Sequence, residues 1–313
     1  MARLRYVGKR LLYVVLTLWG VSLLLFLLMH ALPSSPGQLM LGEGGTPDQV
    51  VAINHALGYD RPIVAQYLSY MGGLLHGDLG TSYLFQRPVS DELRIALPVT
   101  LKLAVYALVL DVVVTIPLAT IAAMRKNKPV DHAIRAIPLV GIGMPPFWTG
   151  TILLVIFAVA FKLFPAGGLE PGVGGNLRSL FLPALTQTIV ASAILTRSLR
   201  QSILEVLQSD YILTARAKGV RGLRLVVGHV LPNAVVPTLS LLSVLFAGLI
   251  GGVLITESVF ALPGIGSMVV QAFQVYDIPL VSGITLVTAA LILVMNLLLD
   301  VMYTVLDPRV VLK

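Results

Sequence analysis

Six apolar runs set the terms for anything this chain can fold into: about Leu11–Leu32, Val99–Ala123, Ile137–Phe161, Leu180–Leu195, Pro237–Ile255 and Val281–Val305. Crossing the hydrocarbon core of a bilayer takes about 20 apolar residues. No water is there to satisfy backbone N–H and C=O groups, so a lone crossing segment must close its hydrogen bonds within itself, as an α-helix. The runs predict an all-α integral membrane protein with six transmembrane helices. Charge supports this: only 12% of the residues are charged, against about 25% in a soluble domain, while 57% are hydrophobic. Too little charge remains to coat a water-facing surface.

The net charge of +7 does not point to nucleic acid. Lys and Arg sit in short polar stretches between the apolar runs, with no basic, aromatic-interleaved face. That is the pattern of the positive-inside rule. Residues 1–10, 125–135, 197–236 and 306–313 hold 16 of the 22 Lys and Arg. The intervening loops are richer in acids, among them Glu43, Asp48, Asp60, Asp78, Asp91, Glu92, Glu170 and Asp277. Both termini are therefore expected in the cytoplasm. The first run is longer than the roughly 7–15-residue core of a secretory signal, so it reads as a retained span. The chain divides into residues 1–32 (tail and first span), an extracytoplasmic loop at 33–98, a transmembrane core at 99–305 interrupted by the 197–236 connection, and a cytoplasmic tail at 306–313.

Two connections are too long to be turns. In the 33–98 loop, Thr46-Pro47 reads as an N-cap followed by the first helical residue, and Gly58 as a stop. A second segment from Pro62 places Ile63, Tyr67, Met71, Leu74 and Leu75 near one face. That face either lies on the membrane surface or packs on the outer helix ends. The other long connection, 197–236, is cytoplasmic. Leu204, Leu207, Tyr211, Thr214 and Ala215 fall close to one face at helical spacing. Gly219 permits a turn, and Pro232 and Pro237 bracket re-entry into the membrane. A short amphipathic helix, a glycine bend and a second segment suit docking into a partner's groove. The same pattern also describes an ordinary amphipathic helix on the membrane face.

At this loop the chain resembles a family. Membrane subunits of ABC importers carry a cytoplasmic EAA loop, EAA-x3-G-x9-I-x-L-P. Here Leu213-Thr214-Ala215 stands at the triplet, Gly219 at the glycine, His229 in place of the isoleucine, and Leu231-Pro232 closes the pattern. DYILTARAKG followed by HVLPNAVVP is similar to the variant in the dipeptide/oligopeptide/nickel permease branch. GDLGTSY (Gly77–Tyr83), PVSDELRIALPVTLKLA (Pro88–Ala104), MPPFW (Met144–Trp148), ESVFALPGIG (Glu257–Gly266), YDIPLV (Tyr276–Val281) and DPRV (Asp307–Val310) resemble the same branch, in order.

The resemblance implies a type I ABC importer permease fold in a bacterial inner membrane. It also implies a second, homologous permease subunit, usually forming a heterodimer, two cytoplasmic ATPase subunits that bind ATP and Mg, and an extracytoplasmic binding protein. The expected cargo is a di- or oligopeptide; nickel, glutathione or oligosaccharide would use the same architecture. The chain has no G-x4-G-K-[ST] phosphate loop, so ATP is handled by the partners and no catalytic residue is expected here. There is no cysteine, and the five histidines lack metal-ligand spacing, so no metal site is expected. An intramembrane hydrolase would need a nucleophile with a paired base inside the spans. A stand-alone secondary transporter needs no docking loop.

The residues expected to couple the permease to its ATPases are Asp210, Tyr211, Thr214, Ala215, Arg216, Lys218, Gly219, His229, Leu231 and Pro232. Asp210 reads as the N-cap of the helix starting near Tyr211, or as part of a longer helix. Pathway or gate candidates are Pro145 and Pro146, which break the third run; Gln187 and Ser192 in the short, polar fourth run; Asp111 in mid-span; and Glu257 near the outer mouth. A carboxylate such as Asp111 is costly in hydrocarbon, so it faces a pathway or a partner, or stands neutral and protonated, bonded to a neighbouring helix. Gly248 and Gly252 form a G-x3-G that suits close helix packing. Gly219→Leu is predicted to leave membrane insertion intact and to abolish transport-coupled ATPase activity; wild-type stimulation in the variant would remove the coupling role.

Overall fold

The computed structural model describes the backbone of residues 2–31 and 34–306; the DPRV segment and the tail lie outside the described residues, as do the surroundings of Gly248, Gly252 and Asp300. All regular structure among the described residues is helical, apart from one isolated bridge between Thr81 and Pro88. The chain forms two compact units. One comprises residues 1–98 and 264–295, the other 99–263 and 296–313.

In the first unit, α1 (Ala2–Ala31) is followed by α2 (Pro36–Leu41), α3 (Pro47–Ala56) and α4 (Ile63–Leu75). Thr46 caps α3 through a reciprocal box with Gln49, and Pro47 opens the helix. Gly58, just past the helix end, has φ of +74°. The segment from Pro62 packs on α1. Its Tyr67 ring meets Phe26 at 5.1 Å, and Gln66 Oε1 lies 2.8 Å from His30 Nε2. Ser22 Oγ reaches Tyr67 Oη at 3.4 Å and Met71 Sδ at 3.3 Å. Ile63 and Leu75 stay exposed.

The same unit holds the first turns of α5 (Val89–Met124), all of α12 (Ile265–Gln274) and the first part of α13 (Ile278–Leu306). Val89, Leu93, Ala96, Ile265, Leu280 and Ile284 form their common core. Asp277 ties it together. Its fully buried carboxylate caps α13 by accepting from Leu280 N (3.1 Å), and also accepts from Leu84 N (2.9 Å) and Ser82 Oγ. One acid thus fixes the start of α13 to the 82–88 turn.

The second unit contains the rest of α5, α6 (Pro129–Ile142), α7 (Pro146–Leu153) with a wide turn over Leu154–Ala160, α8 (Gly172–Val206), α9 (Asp210–Ala217), α10 (Gly222–Leu225) with a wide turn over Val226–Val230, and α11 (Leu231–Val259). Helix α8 packs against α6, α7 and α11. Val99, Leu103, Leu180, Leu182, Val253 and Phe260 fill the core toward one end of this unit; Ala119, Leu199, Ile203, Ile212, Leu225 and Val230 fill it toward the other.

Three expectations change. Five helical stretches among the described residues are long and apolar enough to cross a membrane, not six: Arg10–Ala31, Val89–Met124, Gly172–Val206, Gly222–Leu239 and Ile278–Leu297. The third run breaks where it was expected to. α6 ends at Ile142, and Pro145 caps α7, whose first turns bond back to the Pro145 carbonyl through Trp148 N (3.0 Å) and Thr149 N (3.1 Å). A proline has no N–H to continue the ladder and its ring clashes with the preceding turn, so Pro145-Pro146 splits the run into pieces. The fourth run is not short: α8 has 35 residues. The second helix starts at Val89 rather than Val99: α5 runs through Pro98, and its first turns carry Asp91, Glu92 and Arg94, so the apolar run marks only its later part.

Helices α5 and α13 approach closely at Gly283, where a Cβ would sit 2.5 Å from Val89 Cγ1. Gly283→Val should therefore destabilise the protein by about 1–3 kcal/mol, as other overpacked core positions do. Thermal unfolding in detergent reads this, and Val89→Ala in the same chain should recover most of the loss.

Candidate functional site

The 197–236 connection is more ordered than a linker. Helix α8 carries on to Val206, and after Leu207–Ser209 the chain re-enters a helix as α9. Ser209, not Asp210, occupies the N-cap position, and Asp210 is the first helical residue. There its charge complements the positive end of the helix dipole. At the other end Gly219 has φ of +88°. Gly219 N donates to Arg216 O (2.9 Å) and Val220 N donates to Ala215 O (3.0 Å). This pair of bonds is the Schellman turn, which needs a left-handed residue at Gly219's position. A Cβ at Gly219 would meet nothing within 4 Å, so the constraint is backbone conformation rather than space.

The break before α9 resets the helical phase. The buried anchor is Ile212, fully enclosed, with Ala215 and Val220 packed on the same cluster as Leu204 and Leu207. Tyr211 and Thr214, expected on that face, point outward instead. The outer face of the loop presents Asp210, Tyr211, Leu213, Thr214, Arg216 and Lys218, with Leu223 76% exposed beyond the turn. Thr214 Oγ1 donates to Asp210 O (3.0 Å) and offers nothing outward as a donor. His229 is exposed in the wide turn before α11, where its carbonyl accepts from Asn233 Nδ2 (3.0 Å). Leu231 and Pro232 form the first turn of α11; Leu231 is half-buried and Pro232 exposed. The loop is thus a short helix bolted to the inner core by one face and offering a mixed apolar and basic face to solvent.

A second element missed in the sequence braces this end. Asp131, fully buried at the start of α6, accepts from Arg200 Nε and Nη2 of α8, both at 2.7 Å. Asn127 N (2.9 Å) and Arg135 Nε (3.3 Å) complete its surroundings. The Arg200 fork is the main reason its carboxyl titrates below the usual carboxylate range; the Asn127 amide and the charges of Arg200 and Arg135 add to it, against the opposing effect of burial. The two residues are 69 positions apart, and no local pattern joins them.

The pathway candidates separate into two groups. Gln187 and Glu257 come together. Gln187 Nε2 of α8 donates to Thr256 Oγ1 of α11, and next to it Glu257 accepts from Thr100 Oγ1 of α5 at 2.6 Å. All four residues are buried, Glu257 completely. They form a polar layer that joins three helices. Ser192 is buried and turns back to Ile189 O (3.4 Å). Asp111 lies apart from this layer, completely buried on α5, with neither carboxylate oxygen hydrogen-bonded among the described residues. No group of three or more His, Asp or Glu residues that could hold a metal occurs among the described residues.

Comparison with known proteins decides the family. The profile described as "Binding-protein-dependent transport system inner membrane component" matches residues 115–312, and its N-terminal companion matches residues 3–104. The chain belongs to this family. It is a multi-pass ABC importer permease subunit of the bacterial inner membrane. It is 37% identical to the probable D,D-dipeptide transport system permease protein DdpB of Escherichia coli K12, covering 95% of this chain and 94% of that one. To the dipeptide transport system permease protein DppB of the same strain it is 34% identical, covering 98% of each. Among solved structures, the inward-facing MetNI methionine ABC transporter matches with a TM-score of 0.57 at 16% identity, covering 69% of this chain and 96% of that one. That likeness concerns the fold.

Replacing Asp131 by Asn in this permease leaves Arg200 buried without its counter-charge, a change that costs about 3–5 kcal/mol in comparable buried pairs. A matching fall in unfolding free energy is expected in the purified transporter. The stabilisation from Asp131 should be complete at neutral pH and fade as pH falls below the ordinary carboxylate value of about 3.9 and through the lower folded-state value.

Proposed function

We propose that this chain is one of two membrane subunits of an importer for short peptides, driven by ATP that two separate cytoplasmic ATPase subunits bind with Mg. The observation that carries the coupling half of this reading is α9. Ile212 anchors it to the bundle, the Gly219 turn ends it, and Tyr211, Leu213, Arg216 and Lys218 face away from the bundle. A helix held in this way moves as a rigid body with the elements it is packed on. Displacement imposed by a docked ATPase would reach α5, α8 and α11, whose residues share the anchoring cluster. The peptide half rests on relatives that align over nearly their whole length and are named as peptide or dipeptide permeases, including one from Brucella abortus at 37% identity.

In this reading the chain crosses the membrane six times with both termini in the cytoplasm. Four of the long stretches and α11, into which the stretch Gly222–Leu239 leads, supply five crossings, and the pieces on either side of Pro145-Pro146 together supply the third in chain order. The partner permease is a homologous but different subunit, and an extracytoplasmic binding protein delivers the peptide. Gln187 bonded to Thr256 and Glu257 bonded to Thr100 form a layer that separates when the pathway opens.

Reconstitution with the companion permease, ATPases and binding protein tests the reading. ATP hydrolysis should rise several-fold when the binding protein carries a di- or oligopeptide, and labelled peptide should accumulate only with ATP. Stimulation by nickel, glutathione or an oligosaccharide instead would change the cargo. Transport by the chain alone without ATP would overturn the assignment.

A further inference from the structure

The first unit holds a cavity of about 390 Å3 that none of the coupling or pathway residues borders. It lies between the C-terminal end of α1, α4 and the 78–83 segment, and polar as well as apolar atoms open onto it. Its size falls in the range of small-molecule sites, about 300–1,000 Å3. Phe26, Met29, Tyr59, Tyr70 and Tyr83 supply aromatic and thioether surface. Such surface accommodates side chains of many kinds without selecting one.

Two charged residues on its wall stand at opposite ends of α4. Arg61 comes just before the helix, with its Nε beside the Gly58 turn, 3.4 Å from where a Cβ on Gly58 would sit. Asp78 comes just after the helix and is tied back to it by its N–H, which donates to Gly73 O (2.9 Å). Asp78 Oδ1 accepts from Gly80 N (2.9 Å), and Oδ2 has no hydrogen-bond partner among the described residues. Neither Arg61 nor Asp78 is ion-paired among the described residues. His30, at Arg61's end, has both ring nitrogens against oxygens of Phe26 and Gln66 and is already occupied. The dipole of α4 adds to the pattern, since its positive end lies on Arg61's side and its negative end on Asp78's. The cavity therefore has a cationic end and an anionic end.

Between the two charges, the part of α4 that walls the cavity, Gln66 to Gly73, rises about 10 Å. An extended chain gains about 3.3–3.6 Å per residue. The ammonium and carboxylate of a dipeptide cannot reach both ends, whereas those of three or four residues can. The headgroup of phosphatidylethanolamine, whose amine and phosphate are separated by a single ethylene bridge, is shorter still. We infer that this cavity is a receiving site for free tri- and tetrapeptides, with Arg61 binding the carboxylate and Asp78 the ammonium. The inference rests on the reading of this chain as a peptide importer subunit, in which the 33–98 segment faces the side where the binding protein delivers its cargo. Charged termini are common to all free peptides, so the site reads length and free ends rather than sequence.

The test measures binding of tetra-alanine to the assembled transporter in detergent, without the binding protein, by titration calorimetry. The wild type should bind tetra-alanine saturably and dialanine much more weakly. Amidating the C-terminus or acetylating the N-terminus should each weaken binding about tenfold or more, the usual loss of one charged hydrogen-bonding group. Arg61→Gln should erase the penalty of amidation and keep that of acetylation, and Asp78→Asn should do the reverse. Both side chains are exposed, so neither variant disturbs the core. Unchanged penalties in the two variants would overturn the site, as would equal affinity for dialanine or displacement of the peptide by phosphatidylethanolamine. Peptide-stimulated ATP hydrolysis with the binding protein, measured on the same preparation, separates the two readings. No direct binding with stimulation intact overturns this site alone; loss of both removes the peptide reading and the site with it.

Discussion

A polar group that enters hydrocarbon must bring its partner with it, and most features of this permease answer that demand. Its long segments are helices because only a helix satisfies its own backbone. Where the ladder is cut, at Pro145-Pro146, the Pro145 carbonyl is taken up at once by the first turn of α7. Where side chains are polar, they pair across helices: Gln187 with Thr256, Thr100 with Glu257, Arg200 with Asp131. Asp277 does the same for the other unit, accepting three bonds at a helix start. These pairs fix register as well as stability, since each one holds only at one relative position of its helices.

Much of this was legible in the chain before any coordinates. Lipid-crossing length, the Thr46 cap, the Pro145-Pro146 break and the Gly219 turn all depend on local chemistry, and local chemistry is what a sequence displays. What was not legible depends on partners distant in the chain. Nothing near Asp131 announces Arg200. Helix α8 looked short because its ends are polar, and apolar runs mark only the stretch that faces lipid or core. Its buried Thr186, Gln187, Thr188 and Ser192 face other helices, so hydropathy understates how enclosed they are. The face of α9 was misplaced for a different reason: helical spacing was carried across Ser209, where the helix in fact restarts and Ile212 takes the inward position.

The loop around α9 shows how few residues are needed to hold a short helix on a bundle. Ile212 supplies the anchor, and the Gly219 turn supplies the stop. Tyr211, Leu213, Arg216 and Lys218 face solvent, so they can change without disturbing the bundle. The match to the permease family across residues 3–104 and 115–312 includes this loop.

The length of α8 has a mechanical consequence. Thirty-five residues at about 1.5 Å each make a rod of roughly 50 Å, well beyond the roughly 30 Å of hydrocarbon. One unbroken shaft therefore carries Gln187 in the polar layer, Arg200 in the ionic brace and Ile203 in the cluster that grips α9. A push at its lower end is felt at Gln187 without passing through any flexible joint. Pro183, a single turn above Gln187, interrupts the ladder and is the natural fulcrum. Pro183 thus divides α8 into a shorter arm before it and a longer one after it, which holds Gln187, Arg200 and Ile203.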